Sequence, residues 1–309
     1  MKDFTLSVVI PTYNRGTVLL DTIDLLCSQS YTPEAIYIVD QSKYENGDPV
    51  SVRLQSLHDS EMISWVQLDK PSIPVAMNTG LQKASTDYVL FLDDDVLFES
   101  DFLKVHYDSI VQHQPIAHVG QIVQPWQSVI TRVDYQAGKG IEGDLNFPFN
   151  SNQPAEIVNC MAGNLCVNRL KALQVAGFDE RFEGVAYRFE TEFCRRLITY
   201  HKEKFRFEPR ATLKHLKVNT GGTRYHAKSH LSSLSAAHSV GDYYFAMSEM
   251  KQTGQVPQSL SYICRRFFGS VIGRFYLRKP WYMPVRIVSE FMGICKAIKF
   301  RIAGAKTIK

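Results

Sequence analysis

The first hundred residues predict an α/β fold, with a mostly parallel sheet flanked by helices. Short apolar runs at 7–10, 35–39, 63–68 and 89–92 alternate with segments in which apolar residues recur at helical spacing. This alternation indicates βαβ units, whose right-handed crossovers bring the carboxyl ends of the strands to one edge of the sheet. Open α/β sheets bind their ligands in the crevice at that edge.

The individual elements follow from periodicity and from breaker residues. Strand 7–10 is expected to end at Pro11, which has no N–H to donate to a neighbouring strand. Leu19, Ile23 and Leu26 recur at helical spacing and predict the helix that follows. The other segments are assigned in the same way. The predicted elements are, in order, strand 7–10, helix 18–29, strand 35–39, helix 51–58, strand 63–68, helix 74–84, a strand ending at Asp93, an exposed loop at 138–144, an extended segment at 159–167, helix 168–175, helix 189–200 and, beyond 231, helices broken near 254–257 and 280–284.

Three consecutive carboxylates, Asp93, Asp94 and Asp95, directly follow the buried run 89–92. Like charges this close destabilise a fold unless positive charge lies among them. A divalent cation that prefers oxygen ligands would supply that charge, and one that also binds phosphate oxygens needs few protein ligands. The triplet therefore predicts a metal site at the carboxyl edge of the sheet. The alternative is a solvated acidic turn.

The composition is that of a globular protein. With 309 residues, 45% of them hydrophobic and 21% charged, the chain can bury one large core or two modest ones. Its six cysteines form no CxxC pair, which favours reduced thiols in a cytoplasmic setting. The start of the chain is too polar for a signal peptide, and no apolar stretch approaches the roughly 18 residues of a membrane span. We therefore expect a cytoplasmic protein without a membrane-spanning helix.

Several short motifs lie in a fixed order between residues 5 and 225. They are SVVIPTYNR at 7–15, VDQS at 39–42, AMNTG at 76–80, DDD at 93–95, AGN at 162–164, GFDERF at 177–182 and FETEFCRRL at 189–197. In type and order they resemble the motifs of the inverting glycosyltransferases of family 2, which have the GT-A fold. The resemblance implies a Rossmann-like sheet and transfer of a sugar, a hexose or deoxyhexose, from a nucleotide-diphosphate donor.

The resemblance also divides the chain into three parts. Residues 1–115 are expected to form the nucleotide-sugar-binding half of the GT-A domain. Residues 116–225 are expected to form its acceptor-binding and catalytic half, with a mixed architecture. Residues 226–309 then form a basic amphipathic helical tail, a C-terminal extension of the fold.

The donor is expected to be a UDP- or dTDP-linked sugar, held together with Mg²⁺ or Mn²⁺. In the family, an acid that corresponds to Asp40 accepts a hydrogen bond from a base N–H. The alternative for Asp40 is a turn or helix-capping role, and the alternative for His215 is a surface or core role. The residues that the resemblance assigns to the nucleotide sugar are Pro11, Thr12, Tyr13, Arg15, Asp40, Asn78, Asp93 and Asp94, and those assigned to the metal are Asp95 and His215.

On the acceptor side, the resemblance implies roles for Gly163, Asn164 and Glu192, and it makes Glu190 the general base. Inversion by direct displacement needs one carboxylate near the acceptor hydroxyl, and the second acid of the family's ED-x-D run takes this proton. A carboxylate is also favourable at a helix N-terminus. The alternative is that Glu190 and Glu192 cap the helix or pair with arginines one turn further on.

The chain departs from the family pattern at two positions. Met77 stands where many relatives have an arginine that touches the nucleotide, which leaves Lys70 or Arg15 to supply that charge. Phe189 replaces the first acid of the ED pair. A further expectation concerns the Gly-Gly pair at 221–222, which would form a flexible lid, with Arg224 reaching a phosphate.

The tail is strongly basic: from Tyr225 onward the chain has 13 Lys+Arg and 3 Asp+Glu. Arginines alternate with aromatic residues over 262–278, a pattern typical of helices that lie in a membrane interface. Such a position suits an enzyme that acts on a glycan or a lipid-linked acceptor. The alternative is a helical cap on the catalytic core. No recognised nucleic-acid motif accompanies the charge, so nucleic acid is not expected as a partner.

Two other functions stay open at this stage. A sugar nucleotidyltransferase can share a Rossmann-like half and metal-binding acids, but it normally has a Gly-rich basic loop after the first strand, where 12–16 offers one arginine and one glycine. A non-catalytic member that binds a glycan or acts as a scaffold would explain Met77 and Phe189.

Overall fold

A computed structural model describes residues 3–222 and 232–308, and within them a nine-stranded sheet is flanked by helices. The strands are β1 Leu6–Thr12, β2 Ala35–Asp40, β3 Ser64–Gln67, β4 Tyr88–Leu92, β5 Val96–Phe98, β6 Ala117–Val123, β7 Ala155–Ile157, β8 Asn164–Asn168 and β9 Phe205–His215. The helices are α1 Thr17–Cys27, α2 Pro49–Asp59, α3 Ile73–Lys83, α4 Phe102–His113, α5 Ile141–Leu145, α6 Arg169–Gln174, α7 Phe189–His201, α8 Val240–Thr253, α9 Val256–Val271, α10 Arg274–Arg278 and α11 Met283–Ala303, with a 3₁₀ turn at Pro280–Tyr282.

The strand order across the sheet is β3-β2-β1-β4-β8-β6-β9-β5, with β7 paired to β9. Strands β1 to β4 pair in parallel, as the βαβ pattern predicts. Beyond β4 the sheet is mixed, because β8 runs antiparallel to both of its neighbours and β5 and β7 run antiparallel to β9. The carboxyl ends of β1, β2 and β4 therefore lie at one edge, next to the start of β8.

Apolar side chains fill both faces of the central strands. In β1, Val8 and Ile10 belong to one buried cluster with α1, α2 and α4, while Val9 belongs to the other with α3 and α7. This division explains the continuous apolar runs, since a strand covered on both faces needs no polar alternation.

Two expectations about local structure were wrong. The expected loop at 138–144 contains α5, in which Ile141 and Asp144 are buried. Asp144 accepts a hydrogen bond from the N–H of Gly138 at 2.7 Å and pairs with Arg195 at 2.6 Å, which fixes the segment against α7. The extended segment expected at 159–167 becomes a strand only from Asn164.

The C-terminal helices pack on the rest of the fold through α7, as in the helical cap given as one of the two alternatives for the tail. Helix α8 packs on α7 and α11, and Tyr243 and Phe245 are fully buried. The helix breaks lie where the glycine and proline residues predict them, between α8 and α9 and before α11. None of the helices within the described residues is both long enough and apolar enough to cross a membrane.

Candidate active site

A cavity of about 480 Å³ opens at the carboxyl edge of the parallel strands. It is lined by residues of the loop after β1, the acid triplet after β4, the turn before β8, the first residues of α7 and the segment after β9. The polar lining that matters most to the chemistry comes from Arg15, Asp93–Asp95, Glu190 and His215. The acid triplet and Glu190 therefore face one common space.

The loop after β1 binds the middle acid of the triplet. Asp94 accepts hydrogen bonds from the Thr12 hydroxyl at 2.7 Å and from Arg15 Nε at 2.7 Å. Burial raises the pKa of the Asp94 carboxyl to about 6, although Arg15 and Thr12 oppose this rise and Asp95 adds to it. The Arg15 guanidinium thus supplies part of the positive charge that three adjacent carboxylates require.

Asp95 is buried and bonded to the segment after β9. Its carboxylate lies 2.8 Å from His215 Nε2 and accepts a hydrogen bond from the N–H of Val218 at 3.1 Å. Burial alone would raise the pKa of Asp95, but His215, the charge of Arg15 and the Val218 N–H outweigh burial and leave this pKa lowered. Asp95 therefore stays ionised at neutral pH.

Asp93, Asp95 and His215 have the chemistry of a divalent-metal site. One ligand atom from each lies within 4.8 Å of the others, and the Asp93 carboxylate is 44% exposed toward the cavity. His215 Nε2 lies 2.8 Å from Asp95 Oδ1 and 3.7 Å from Asp93 Oδ2, so this nitrogen faces both carboxylates. Two carboxylates and an imidazole suit Mn²⁺ well and Mg²⁺ less well. These residues fit the expected cation.

The segment after β9 crosses the loop that follows β1. The N–H of Gly222 donates to the carbonyl of Tyr13 at 2.7 Å, and Arg15 Nη1 donates to the carbonyl of Thr220 at 2.7 Å. A Cβ on Gly221 would lie 2.2 Å from the Asn14 carbonyl oxygen, and its φ of +67° also favours glycine. The Gly-Gly pair is thus required for this close crossing. Arg224, expected to reach a phosphate, lies outside the described residues.

Glu190 reaches the cavity because α7 begins beside it. Arg188 precedes the helix with a φ of 70° and pairs with Asp242 of α8 at 3.1 Å, which anchors this end of α7. Phe189 is 2% exposed and its ring lies 5.7 Å from that of Phe178. The residue that replaces the first family acid therefore packs into the core and also lines the cavity, next to Glu190.

The structure does not bring Asp40 into the cavity, contrary to the expectation of a base contact. Asp40 is fully buried, and its oxygens accept hydrogen bonds from the N–H of Ser42 at 2.9 Å, the Tyr44 hydroxyl at 2.9 Å and Trp65 Nε1 at 3.1 Å. The turn role, given above as the alternative, matches this geometry. The neighbouring Gln41 lines the cavity instead.

Asn78 and Asn164 are also buried away from the cavity. Asn78 exchanges two hydrogen bonds with the backbone of Phe178, at 2.9 and 2.8 Å, and so ties α3 to the segment before α7. Asn164 bonds His106 Nε2 at 2.9 Å and the carbonyl of Ala211 at 3.0 Å. Both amides bond core groups and neither lines the cavity, so the structure does not bring them together with the other predicted site residues.

Glu192 makes the helix pairing that was the alternative to an acceptor role. Arg196, one turn further along α7, binds both carboxylate oxygens at 2.7 and 2.9 Å, and Gln252 of α8 donates a third hydrogen bond at 3.1 Å. Of the three residues expected to bind the acceptor, Gly163, Asn164 and Glu192, Gly163 alone lines the cavity. A Cβ there would lie 2.2 Å from Asp93 Oδ2, so a side chain at this position would displace the Asp93 carboxylate.

Trp126 is a cavity residue that sequence reasoning missed. It is 71% exposed and sits in a loop whose ends are fixed by the hydrogen bonds Gln127 N–Gln124 O at 2.9 Å and Ile130 N–Asn150 O at 3.1 Å. A large aromatic ring held in water at a cavity wall forgoes the burial that usually stabilises it. In the sequence, the one feature that could have indicated this cavity position is a tryptophan within a long polar loop.

Comparison with known proteins decides the family. Residues 7–175 match the sequence model of the family described as Glycosyl transferase family 2. The chain belongs to this family. The match confirms the resemblance drawn from the ordered motifs, because it spans the loop after β1, the acid triplet and the start of the second half.

Individual relatives agree with the family and with the fold. The amylovoran biosynthesis glycosyltransferase AmsB of Erwinia amylovora is 34% identical over 110 residues, which cover 34% of this chain and 35% of AmsB. In its alignments with curated relatives, this chain covers only 17% to 35% of the relative's own length. Residues 1–349 of S. aureus TarS, solved with UDP-GlcNAc, superpose with a TM-score of 0.61 at 11% identity, over 97% of this chain and 92% of TarS.

A second structural neighbour is the mannosyltransferase PcManGT of Pyrobaculum calidifontis, solved with GDP-Man and Mn²⁺. It superposes with a TM-score of 0.55 at 16% identity, over 98% of this chain and 80% of that one. Both superpositions extend across the parallel half, the mixed half and the C-terminal helices. The α/β fold class with its helical extension is confirmed.

Proposed function

We propose that the chain is an inverting, divalent-metal-dependent glycosyltransferase that moves a sugar from a nucleotide diphosphate to a hydroxyl of a glycan or lipid-linked acceptor. The observation that carries this proposal is the shared cavity, which Asp93–Asp95 and Glu190 line together. Family membership favours glycosyl transfer over the nucleotidyltransferase alternative. A transfer site needs both a place for the departing diphosphate and a base for the acceptor, and the residues that line this cavity are of the types suited to the two roles.

The donor half of the cavity suits a nucleotide diphosphate. Pro11, Thr12 and Tyr13 would contact the base and ribose, and Arg15 would supply the charge that Met77 lacks. Asp93, Asp95 and His215 would hold Mn²⁺ or Mg²⁺, which acts as a Lewis acid on the departing diphosphate when bound. The neighbours solved with UDP-GlcNAc and with GDP-Man and Mn²⁺ support a nucleotide sugar and a divalent ion. A UDP- or dTDP-linked hexose or deoxyhexose is the proposed donor.

Glu190 is the proposed general base. A single displacement at the anomeric carbon requires the acceptor hydroxyl to lose its proton as the new bond forms. Glu190 is placed at a cavity wall by α7, whose start is anchored through Arg188 and Asp242. The helix N-terminus favours its ionised form, which is the form that accepts a proton.

The proposed biological setting is polysaccharide biosynthesis at the cytoplasmic side of a membrane. AmsB is named for amylovoran biosynthesis, which supports a saccharide acceptor. Contact with the membrane surface is proposed to run through the C-terminal helices. In that setting the acceptor is a growing glycan or a lipid-linked saccharide.

Trp126 is the proposed platform for the acceptor sugar. Replacement with alanine should raise the KM for saccharide acceptors about tenfold, because the apolar face of a sugar ring loses its aromatic partner. Replacement with phenylalanine should keep most of the affinity. Initial-rate kinetics with a panel of saccharides measures both variants, while hydrolysis of the donor without acceptor should not change.

Tyr200 provides a matched control, since it is an aromatic residue that is 62% exposed but does not line the cavity. Its replacement with alanine should leave the acceptor KM unchanged. An unchanged KM in the Trp126→Ala variant would remove the platform role.

The proposed function is tested by a thermal-shift panel of nucleoside diphosphates with Mn²⁺. UDP or dTDP with Mn²⁺ should raise the Tm, and slow hydrolysis of the matching nucleotide sugar should separate an enzyme from a non-catalytic glycan-binding member. If no nucleoside diphosphate stabilised the protein in the presence of Mn²⁺, the donor site would be refuted.

A further inference from the structure

Helix α9 exposes an apolar stripe on its solvent side. Leu260, Cys264, Phe268 and Ile272, at and just beyond the helix, follow one another at intervals of four residues, and all four are exposed. Residues spaced by four lie on one face of a helix. A helix that packs on a core from one side normally presents polar residues on the other.

Helix α11 exposes a second stripe next to the first. Ile287, Phe291, Ile298 and Ile302 are exposed along about four turns, and Val288 and Met292 widen the stripe. The rings of Phe267 and Phe291 lie 5.4 Å apart, and those of Phe267 and Phe268 5.5 Å apart. Aromatic contacts therefore join the two stripes into a single surface, called here the α9–α11 surface.

The C-terminal segment that forms the α9–α11 surface is rich in cations, and some of them pair with acids of other elements. From residue 251 to the end the sequence has 12 Lys+Arg and a single acid, Glu290. Glu290 is fully buried and pairs with Arg286, while Glu142 and Glu183 of other elements pair with Arg265 and Lys296. The cations of this segment that have no ion pair among the described residues include Arg274, Arg278, Lys279, Lys299 and Arg301. In the connection between the helices, the exposed Arg278 and Lys279 lie beside Trp281.

We propose that the α9–α11 surface binds a membrane of anionic phospholipids, with its aromatic and aliphatic side chains in the interface and its cations at the headgroups. The proposal rests on the proposed function and adds the surface through which the enzyme meets its lipid-linked acceptor. A second copy of the chain is the less suitable occupant, because a two-fold interface would place like charges against each other.

The α9–α11 surface is firmly joined to the catalytic half. After α11 the chain returns to the segment before α7, where the N–H of Ile308 donates to the carbonyl of Ala176 at 3.0 Å and the N–H of Glu180 donates to the carbonyl of Lys306 at 2.7 Å. The hydroxyl of Tyr244 in α8 donates to Asp179 in the same segment at 2.6 Å. Membrane binding would therefore fix the orientation of the cavity relative to the lipid surface.

Cosedimentation of the full chain with vesicles tests this inference. We expect binding to vesicles of phosphatidylglycerol and phosphatidylcholine, and much weaker binding to phosphatidylcholine alone or at high salt. The double variant F268S/F291S should bind about tenfold or more weakly, because two inserting rings are lost. Leu170→Ser is the matched control: Leu170 is an exposed leucine of α6, remote in sequence from the surface, and its loss should not change binding.

Three results would overturn the inference. They are absence of binding to anionic vesicles, an equal loss of binding in Leu170→Ser, and a wild-type dimer that F268S/F291S converts to a monomer in light scattering. Stabilisation by UDP or dTDP with Mn²⁺, measured on the same samples, should be equal in wild type and double variant. Lipid binding without any nucleotide stabilisation would instead refute the proposed function and leave the surface intact.

Discussion

Glu190→Gln should lower kcat for sugar transfer about a thousandfold, within the range that a positioned general base contributes. The amide keeps the size and hydrogen-bonding capacity of the side chain but cannot accept the acceptor proton. Because Glu190 lies at the cavity wall and the donor residues lie on other loops, the affinity for nucleotide should survive. Initial rates of transfer and calorimetric titration with UDP or dTDP, both in Mn²⁺, measure the two quantities.

Glu192→Gln is the control for this change, since Glu192 lies on the same helix but binds Arg196 and not the cavity. It should lower the Tm and leave kcat close to wild type at temperatures where the protein is folded. Turnover retained in Glu190→Gln would exclude Glu190 as the base. A parallel loss of nucleotide affinity would show that the side chain serves binding instead.

Asp95→Ala should weaken Mn²⁺-dependent nucleotide binding about a hundredfold. Asp95 is held ionised by His215, Arg15 and the Val218 N–H, so its loss removes a preorganised carboxylate and leaves His215 without its partner. Mutation of an outer-shell partner of a metal ligand costs about 10- to 100-fold in metal affinity, and loss of a ligand itself should cost at least as much. Calorimetry with and without Mn²⁺ separates the metal-dependent part of the affinity from the rest.

Asp101→Ala is a suitable control, because Asp101 is an exposed acid at the start of α4 and makes no side-chain cap. It should leave binding unchanged with and without the metal. If Asp95→Ala bound nucleotide as tightly as wild type in Mn²⁺, the carboxylate would not be a metal ligand. Weakening to the same degree with and without Mn²⁺ would point to loss of local structure.

The part of the site built from strand ends could be predicted from the sequence. A buried apolar strand ending in Asp93–Asp95 defines its own position at the sheet edge, since parallel strands present their carboxyl ends together. The same reasoning placed the loop after β1 beside the triplet, and the structure adds that Arg15 bonds Asp94 at 2.7 Å. Periodicity likewise predicted α7 and the start that positions Glu190.

The residues that failed to reach the cavity are polar side chains with partners distant in sequence. Asp40 bonds Trp65, Asn78 bonds Phe178 and Asn164 bonds His106. A motif fixes where a residue stands along the chain, but its side-chain direction depends on which distant donors and acceptors the fold brings near. Trp126 was missed for a related reason, because backbone hydrogen bonds to the 148–152 region determine how its loop folds.

We expect a divalent cation to lie between the acid triplet and a diphosphate, with Glu190 across the same cavity. Anomalous diffraction from crystals grown with UDP and Mn²⁺ tests it most directly. We predict one manganese peak within coordination distance of the Asp95 carboxylate and the diphosphate oxygens, with Glu190 facing the bound nucleotide. A manganese peak remote from Asp93–Asp95, or a nucleotide bound outside the cavity that Glu190 lines, would contradict the account.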